Sequence, residues 1–404
     1  YKRQIEYDNY VGKIGTGKLH HGVIRSGDEV KLVKQKGALV NGKITHLYEY
    51  RGLKKIEVEE ATAGDIVAIA GFDTIDLGDT IAGGDNPTAL PSIRIDEPTI
   101  AITFQVNDSP FLGREGKYVT SRHIWERLER ETETNVSLVI ERAQTKDSFT
   151  VKGRGELQLS ILIENMRREG YEFQISRPQV IYREIEGNIS EPMEIAIVDV
   201  ADEFSGVVIE KLGKRRAELA SMVQGSDGYT RLEFRIPSRG LIGCRNEFLT
   251  DTRGTGILNH VFDGYEPFRG PIPSRSRGVL IAIEDGVSNA YALDNLQERG
   301  NLFIGPGVPV YEGMIIGENS RENDMEVNPC KTKKLTNMRA SGSDEAIRLT
   351  PPRLFSLEQA IEYIDDDELL EVTPKSIRMR KRILKCLDRK RFEKAKMNDV
   401  VKVV

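Results

Sequence analysis

The sequence predicts a multidomain α+β protein with four segments: a small β-barrel, two ferredoxin-like α/β sandwiches and a C-terminal domain of mixed structure. Three observations support this prediction. Residues 1–90 contain short alternating strand patterns separated by glycine turns. Two later segments alternate strand and helix patterns, and each begins with Glu-Pro, at Glu97-Pro98 and at Glu191-Pro192. Residues 277–404 follow no simple period and are therefore assigned to a separate domain.

The predicted barrel occupies residues 1–90. Runs such as residues 29–33 and 65–70 have the composition of strands, and no helix of useful length is expected. Residues 12–19 match a phosphate-binding P-loop except at the last position, where Leu19 stands in place of the Ser or Thr that ligates magnesium. Because a strand pattern continues after Leu19, we predict no nucleotide hydrolysis by this chain. A P-loop phosphotransferase is the enzyme alternative.

The first predicted sandwich occupies residues 94–187. Its pattern gives a strand at 100–106, a helix at 121–133, two further strands, a second helix and a last strand. Apolar residues of the second helix recur from Leu159 to Met166 at helical spacing, and Gly170 provides a C-terminal stop. The order βαββαβ is that of a ferredoxin-like sandwich.

The second predicted sandwich occupies residues 190–272. A strand after Glu191-Pro192 leads to a helix within 204–222, an alternating strand at 230–236, a helix at 241–249 and a closing strand. The two segments share the order of their strand and helix patterns but few identical residues, so the repeat is one of pattern.

The C-terminal domain, residues 277–404, contains three local signals. Residues 279–283 and 290–292 flank a turn and are predicted to pair as a hairpin. Ser356 and Gln359 have capping-box spacing for a helix through Ile364. Thr373-Pro374 has the form of an N-cap with proline at the first helical position, which predicts a helix over 375–396.

Positive charge is concentrated in this domain. Residues 331–396 carry 17 Lys or Arg against 11 Asp or Glu, whereas the whole chain has a net charge of −5. The stretch 331–343 is polar and cationic and is predicted to be a contact loop. The predicted helix over 375–396 presents eight cations opposite an apolar arc, which favours nucleic-acid phosphates as the partner. These cations are Arg378, Arg380, Lys381, Arg382, Lys385, Arg389, Lys390 and Arg391.

Two alternatives to nucleic-acid binding remain at this point. The cations could form a solvated charged face without a partner. The chain could instead be a protein-interaction scaffold whose acidic stretch, residues 365–368, contacts basic proteins.

Other function classes lack sequence support. The three cysteines, Cys244, Cys330 and Cys386, are far apart and form no zinc-binding pattern, so no metal is predicted. No apolar run is long enough to span a membrane, and a reducing cytosol is expected. The chain opens at Tyr1 inside a strand pattern, which indicates a piece of a longer protein.

Several motifs resemble the TypA/BipA group of translational GTPases, which are relatives of elongation factor G. The resemblance extends over essentially the whole chain. IPSRGLIG and KKLTNMRAS are specific to the group, whereas GRGE and RPQVIYRE are shared more widely among translational GTPases. The motifs are YVGKIGTG at residues 10–17, SPFLGREGK at 109–117, GRGEL at 153–157, IENMRREG at 163–170, RPQVIYRE at 177–184, IPSRGLIG at 236–243 and KKLTNMRAS at 333–341.

The resemblance implies domain II as the barrel, domains III and V as the sandwiches, and a family-specific C-terminal domain that contacts RNA. It implies that GTP, Mg²⁺ and the hydrolytic residues belong to an N-terminal domain absent from this chain, so this chain has no catalytic residue and no cofactor of its own. The contact loop residues implied by the resemblance are Lys331, Lys333, Lys334, Asn337 and Arg339.

The implied partners are the 70S ribosome and its large subunit, rRNA and the A-site tRNA near the peptidyl-transferase region. The implied roles are stress response, low-temperature growth and large-subunit assembly. A cytoplasmic monomer is expected.

Overall fold

The computed structural model describes residues 5–8, 10–34, 37–52, 54–72, 74–84, 87–91, 97–135, 137–143, 145–226, 228–272, 275–332 and 347–403. Its elements fall into two compact units. One comprises Tyr1–Glu97 and Trp125–Ile140, and the other comprises Pro98–Ile124 and Glu141–Val404.

Within the described part of residues 1–97, all regular elements are strands. They form three sheets with the orders β1-β2-β9-β6-β7, β10-β4-β5 and β3-β8. Apolar side chains from all three sheets, including Ile24, Leu32 and Leu47, share one buried core. The strands are β1 (Ile5–Asp8), β2 (Gly12–Lys18), β3 (Val23–Arg25), β4 (Glu29–Val33), β5 (Leu39–Lys43), β6 (His46–Arg51), β7 (Lys54–Glu57), β8 (Glu60–Thr62), β9 (Ile66–Ala70) and β10 (Thr80–Ala82).

The P-loop-like stretch lies on a strand. Residues 12–18 are β2, which pairs with β1 on one side and with β9 on the other. A P-loop instead wraps its phosphate with a loop that opens a helix. The strand predicted after Leu19 is β3, so residues 12–19 lack the structural context of a phosphate-binding loop.

Helices and strands alternate through the rest of the chain. The helices are α1 (Ser121–Thr134), α2 (Glu156–Arg168), α3 (Asp202–Lys214), α4 (Ser238–Leu241), α5 (Cys244–Asp251), α6 (Ala290–Gln297), α7 (Leu357–Tyr363) and α8 (Cys386–Val403). The strands are β11 (Ile100–Gln105), β12 (Val139–Arg142), β13 (Ser148–Gly153), β14 (Phe173–Ser176), β15 (Gln179–Val180), β16 (Arg183–Ile185), β17 (Asn188–Ala201), β18 (Glu218–Gln224), β19 (Tyr229–Pro237), β20 (Ile257–Pro267), β21 (Val279–Ala282), β22 (Gly286–Val287), β23 (Gly300–Leu302), β24 (Pro309–Val310), β25 (Ile315–Asn319), β26 (Met325–Val327), β27 (Glu368–Val372) and β28 (Ile377–Lys381).

One sheet joins two segments that are far apart in sequence. Its strands β13, β11, β14, β27 and β28 lie side by side in that order. The antiparallel pairing of β14 with β27 runs from Phe173 opposite Val372 to Ser176 opposite Leu369. The C-terminal hairpin therefore extends the sheet formed by residues 100–176, across the boundary predicted between separate domains.

A second sheet is built around the long strand β17, which pairs with β19, β16 and β20. Helices α3 and α5 contribute Val208, Leu212 and Phe248 to the core on one of its faces. The helix predicted within 204–222 is α3, which begins two residues earlier and ends at Lys214. Arg216 has a positive φ of 66°, and the chain then turns into β18, which pairs with β19.

The third sheet has the order β23-β25-β21-β26. The predicted hairpin of 279–283 with 290–292 is wrong, because β21 pairs with β25 and β26 and residues 290–292 begin helix α6. The Asn289 side chain accepts a hydrogen bond of 2.9 Å from the Tyr291 amide and caps that helix. Asn289 is the residue in the sequence that could have predicted the start of this helix.

The two predicted caps had different outcomes. The capping box of Ser356 and Gln359 is confirmed, since both of its hydrogen bonds are present at the start of α7. The helix predicted over 375–396 is wrong in its first half, because Thr373 turns the chain between β27 and β28 and α8 begins only at Cys386. The Thr373 hydroxyl accepts from the Ser376 amide at 2.9 Å, as an N-cap would, but the turn leads into a strand.

Substitution of Gly300 by alanine should destabilise the third sheet. A Cβ atom at Gly300 would overlap the carbonyl oxygen of Glu318 on the paired strand β25, and a backbone atom cannot move aside without breaking the pairing. Gly300→Ala is expected to lower the free energy of unfolding by about 1–3 kcal/mol, as overpacking does. Urea unfolding measures this change.

Gly305→Ala is the matched control, because a Cβ at Gly305 meets no atom within 4 Å. Its effect should stay within about 0.5 kcal/mol. Equal effects of the two substitutions would contradict the role assigned to Gly300.

Candidate nucleic-acid interface

The contact loop begins at the edge of the third sheet. Strand β26 is the last strand in the order of that sheet, and Lys331 lies four residues beyond its end at Val327. The Asn328 side chain accepts a hydrogen bond of 2.9 Å from the Cys330 amide, which shapes the chain just before the loop. Lys331 is exposed. The other four predicted loop residues, Lys333, Lys334, Asn337 and Arg339, lie outside the described residues, and their role stays a prediction.

The second basic run is divided between a strand and a helix. Strand β28 holds Arg378, Arg380 and Lys381, and helix α8 begins only at Cys386. As a result, the eight predicted cations do not share one exposed helical face. Four are turned inward, and four are exposed: Arg382, Lys385, Lys390 and Arg391.

Arg378 joins two carboxylates. Its guanidinium hydrogen-bonds Glu115 and also lies 3.1 Å from the Oε1 of Glu371, which is directly opposite on β27. Thr373 and Ser376 donate further hydrogen bonds to Glu115. Burial alone would raise the pKa of Glu115, but the bonds from Thr373 and the charge of Arg378 hold that pKa below its usual value. This group therefore keeps its charge at neutral pH.

Glu371 is fully buried and collects donors from other segments. Asn107 Nδ2 and Ser109 Oγ donate to its Oε1 at 2.9 and 3.0 Å, and the Tyr311 hydroxyl donates to its Oε2 at 2.8 Å. Burial, followed by the charge of Glu371, raises the pKa of Tyr311 well above its usual value, so this hydroxyl remains a donor. One carboxylate thus connects β27 to the end of β11 and to the core of the third sheet.

The SPFLGREGK loop, residues 109–117, is held by a second buried carboxylate. Glu172 accepts hydrogen bonds of 2.9 Å from the amides of Gly113 and Gly116. Phe111 of this loop packs edge-on against Tyr311, with ring centroids 4.9 Å apart. This motif therefore contacts both Glu172, next to β14, and Tyr311 in the core of the third sheet.

Lys381 is held by three carboxylates. Its side chain is 3% exposed, and its Nζ lies 2.6, 2.8 and 3.0 Å from Asp324, Asp367 and Glu368. Glu368 also receives two hydrogen bonds from Arg275, at 2.9 and 3.0 Å. Burial alone would raise the pKa of Glu368, but Arg275 and Lys381 hold it below its usual value. Lys381 therefore serves the fold.

The other two inward cations are also engaged within the fold. Arg380 is 1% exposed and hydrogen-bonds Asp108, while Arg389 lies 3.1 Å from Glu326 and donates to the carbonyl of Ile383. Charged groups that are removed from water need partners, and each of these two arginines is paired with a carboxylate. The prediction of an exposed phosphate-binding face is wrong for Arg378, Arg380, Lys381 and Arg389.

The four exposed cations retain contact with water. Lys390 lies 3.1 Å from Glu326, and Arg391 lies 3.4 Å from Asp388 with its side chain 81% exposed. Exposed ion pairs of this kind contribute little to stability and exchange readily for a phosphate. Arg382, Lys385, Lys390 and Arg391 can therefore still contact a polyanion.

A polar cleft of about 700 Å³ is a second place where a ligand could bind. Its cations are already matched by carboxylates: Lys211 lies 2.7 Å from Asp251, and Arg177 lies 2.9 Å from Asp365. The cleft therefore has little free positive charge for an anion. In the described part of the chain, no group of three His, Cys, Asp or Glu side chains is placed to hold a metal.

The sequence analysis did not predict the acidic partners of the basic run, although the spacing between these acidic and basic residues is visible in the sequence. Glu368 stands opposite Lys381, and Glu371 stands opposite Arg378, on either side of a four-residue turn. Opposite charges placed symmetrically about a turn are typical of cross-strand pairs in a hairpin. This spacing favours a hairpin over a helix.

Comparison with known families divides the chain into three matching regions. Residues 12–82 match domain 2 of elongation factor Tu, and residues 188–276 match the C-terminus of elongation factor G. Residues 277–386 match the TypA/BipA C-terminal domain. No helix in the described residues is both long and apolar enough to cross a membrane.

Three curated relatives each carry the name large ribosomal subunit assembly factor BipA. The protein of Synechocystis sp. is 51% identical over 93% of this chain and 63% of its own length. That of Bacillus subtilis is 47% identical over 97% and 64%, and that of Escherichia coli K12 is 49% identical over 98% and 65%. The chain thus spans slightly less than two thirds of their length. A crystal structure of a protein from Thermus thermophilus has a TM-score of 0.41 and 16% identity over 66% of this chain and 55% of that one.

Replacing Lys381 should cost far more stability than replacing an exposed lysine nearby. Lys381→Met leaves Asp324, Asp367 and Glu368 without their shared cation. We expect a loss of about 3 kcal/mol in the free energy of unfolding, near the low end for a broken buried pair because Arg275 still neutralises Glu368. Lys385→Met is the exposed control and should stay within about 0.5 kcal/mol. Denaturant unfolding compares them, and similar losses would refute the buried role.

The stability of the fold should fall in acid through Glu368. Because its folded pKa is lowered, its contribution is complete above the ordinary value of 4.5 and is lost as pH falls through the folded value. Glu368→Gln should be less stable at pH 7 and should change less between pH 5 and pH 3. Unfolding by urea across that range tests this, with exposed Glu322→Gln as control. A variant that keeps the native acid slope would contradict the assignment.

Proposed function

We propose, because the chain belongs to the TypA/BipA family of translational GTPases, that it is the ribosome-binding portion of such a factor and acts on the large ribosomal subunit. The observation that carries this proposal is the identity of about half of all positions with three proteins named large ribosomal subunit assembly factors, over 93–98% of this chain. The match of residues 277–386 to the TypA/BipA C-terminal domain supports the same conclusion.

The proposed contacts with RNA come from exposed cations of the C-terminal domain. Lys331, at the start of the contact loop, is exposed, as are the four outward cations Arg382, Lys385, Lys390 and Arg391. Lys333, Lys334, Asn337 and Arg339 are proposed as further contacts. The proposed docking place is the A-site and peptidyl-transferase region, with rRNA and the end of the A-site tRNA as partners.

The finer architecture is part of the proposal. Residues 1–90 are proposed as a domain II β-barrel, 94–187 and 190–272 as ferredoxin-like domains III and V, and 277–404 as the family-specific domain. Support comes from the matches to elongation factors Tu and G and from the element order after residue 100. GTP, Mg²⁺ and hydrolysis are proposed to belong to the part of the family's length that this chain does not span.

The cellular roles are proposed by family membership. They are large-subunit assembly, stress response and growth at low temperature, carried out in the cytoplasm by a monomer. The scaffold alternative has less support, since the acidic stretch 365–368 is engaged within the fold. Asp365 pairs with Arg177 at 2.9 Å, and Glu368 is fully buried between Arg275 and Lys381.

Co-sedimentation with 70S ribosomes and isolated large subunits tests the proposal. Since each phosphate contact releases counterions, a loop that neutralises about six phosphates should lose roughly a thousandfold in affinity as salt rises severalfold. Replacing Lys331, Lys333, Lys334 and Arg339 together by glutamate should abolish pelleting at moderate salt.

The matched control places four glutamates on exposed cations of the second unit that lie outside residues 277–404 in the sequence, at Arg142, Arg154, Lys214 and Arg253. This control should pellet like the native chain. Binding that does not change with salt, or an equal loss in both variants, would count against docking through the loop.

A further inference from the structure

Three segments meet at the start of helix α2. Glu156 is its first residue, and α2 packs against α7, which carries Glu362. The loop between α4 and α5 supplies the third side. Gly243 in this loop has a φ of 68°, and a Cβ there would lie 3.5 Å from the Cβ of Glu362. The joint therefore connects the first sandwich, the region that matches elongation factor G and the TypA/BipA domain.

This joint contains two carboxyl groups, and the charge of Glu362 acts on Glu156. The Oε1 atom of Glu156 is buried and has no hydrogen-bond partner in the described structure, and the Gly243 amide hydrogen-bonds the same carboxyl group. Asn246 Nδ2 donates to Glu362 Oε2 at 2.6 Å. An ionised carboxylate with a buried, unpaired oxygen costs more free energy than the neutral carboxylic acid does.

The surrounding charges do not relieve this cost. Glu156 faces Glu362, Arg215 and His260, and Glu362 faces Arg215, Glu247 and Glu358. Arg215, whose charge acts on both carboxyl groups, is hydrogen-bonded elsewhere: it donates to the carbonyls of Gly240 and Ile242 and pairs with Glu247 at 3.0 Å. His260 is likewise hydrogen-bonded to Glu194.

We propose that a proton on Glu156 holds this joint between α2, α7 and residues 243–246 closed, and that the joint loosens when Glu156 ionises beside Glu362. Acidification towards pH 6 then tightens the contact between the sandwiches and the C-terminal domain. The ligand in this proposal is the proton that binds the Glu156 carboxylate. The device is a pH-dependent coupling of domains, which goes beyond the proposed docking function and does not depend on it.

Burial and the charge of Glu362 raise the pKa of Glu156 to about 7, and burial raises the pKa of Glu362 as well. Because the folded pKa is raised, closing the joint takes up a proton between the ordinary value of 4.5 and about 7. Each unit of pH in that window should weaken closure by up to tenfold, and above it the dependence should level off.

Hydrogen exchange of the native chain between pH 5 and pH 8 tests the proposal. After correction for the intrinsic exchange rate, protection of amides in α7 and α5 should fall up to tenfold per pH unit until about pH 7. Amides of β21, in the buried core of the third sheet, serve as the internal reference. Glu156→Gln mimics the protonated acid, so it should keep the protection of the native chain at pH 5 throughout.

Two further measurements keep the test decisive. Glu362→Gln removes the like charge and should move the midpoint to lower pH, while exposed Glu298→Gln should leave it unchanged. If Glu156→Gln does not fold, the carboxyl ¹³C titration of Glu156 in the native chain replaces it and should show a midpoint near 7. A midpoint near 4.5, or an unchanged profile in Glu156→Gln, overturns the proposal.

Discussion

Two charge pairs buried across a single hairpin fix the arrangement of the larger unit. Glu368 faces Lys381 and Glu371 faces Arg378 across β27 and β28. Burying charges is costly unless every charge finds a partner, so each pair draws in groups from other segments. Glu371 recruits Asn107, Ser109 and Tyr311, and Glu368 recruits Arg275. The hairpin can satisfy these groups only when it extends the sheet at β14, which makes one arrangement of the domains strongly preferred.

The same pairs place the candidate interface. Asp324, which precedes β26, contacts Lys381 at 2.6 Å, so the edge strand from which the contact loop departs is tied to the hairpin. Glu326 within β26 contacts Arg389 and Lys390 at the start of α8. Lys331, which follows β26, and the exposed α8 cations Lys390 and Arg391 are thereby placed next to one strand. A rigid base under a cationic loop reduces the ordering cost of binding an extended polyanion.

The sequence allowed the element order and several boundaries to be predicted, because periodicity and local caps act within a few residues. The helix at Ser356 and the strands around Ile102 and Val151 are of this kind. Thr373 shows the limit: its hydroxyl makes the same hydrogen bond in a turn as in an N-cap, so this local signal alone does not distinguish a hairpin from a helix. Arg380 shows a second limit. An arginine is predicted to be exposed from the sequence, and the carboxylate that pairs with it, here Asp108, is known only from the structure. The contact loop stays a prediction because most of it lies outside the described residues.

The second basic run contains four inward cations and four exposed cations, and the two sets have different roles in the fold. A count of cations between residues 375 and 396 treats all of them as available to RNA, yet Arg378, Arg380, Lys381 and Arg389 neutralise carboxylates within the fold. Loss of binding after replacing any of these would reflect a misplaced hairpin as much as a lost phosphate contact. Among the eight predicted cations, Arg382, Lys385, Lys390 and Arg391 separate the two effects, because their removal leaves no carboxylate buried and unpaired. In the proposed function, the electrostatic attraction to a polyanion comes from exposed cations such as these four and the predicted contact loop, while the inner four hold the hairpin in place.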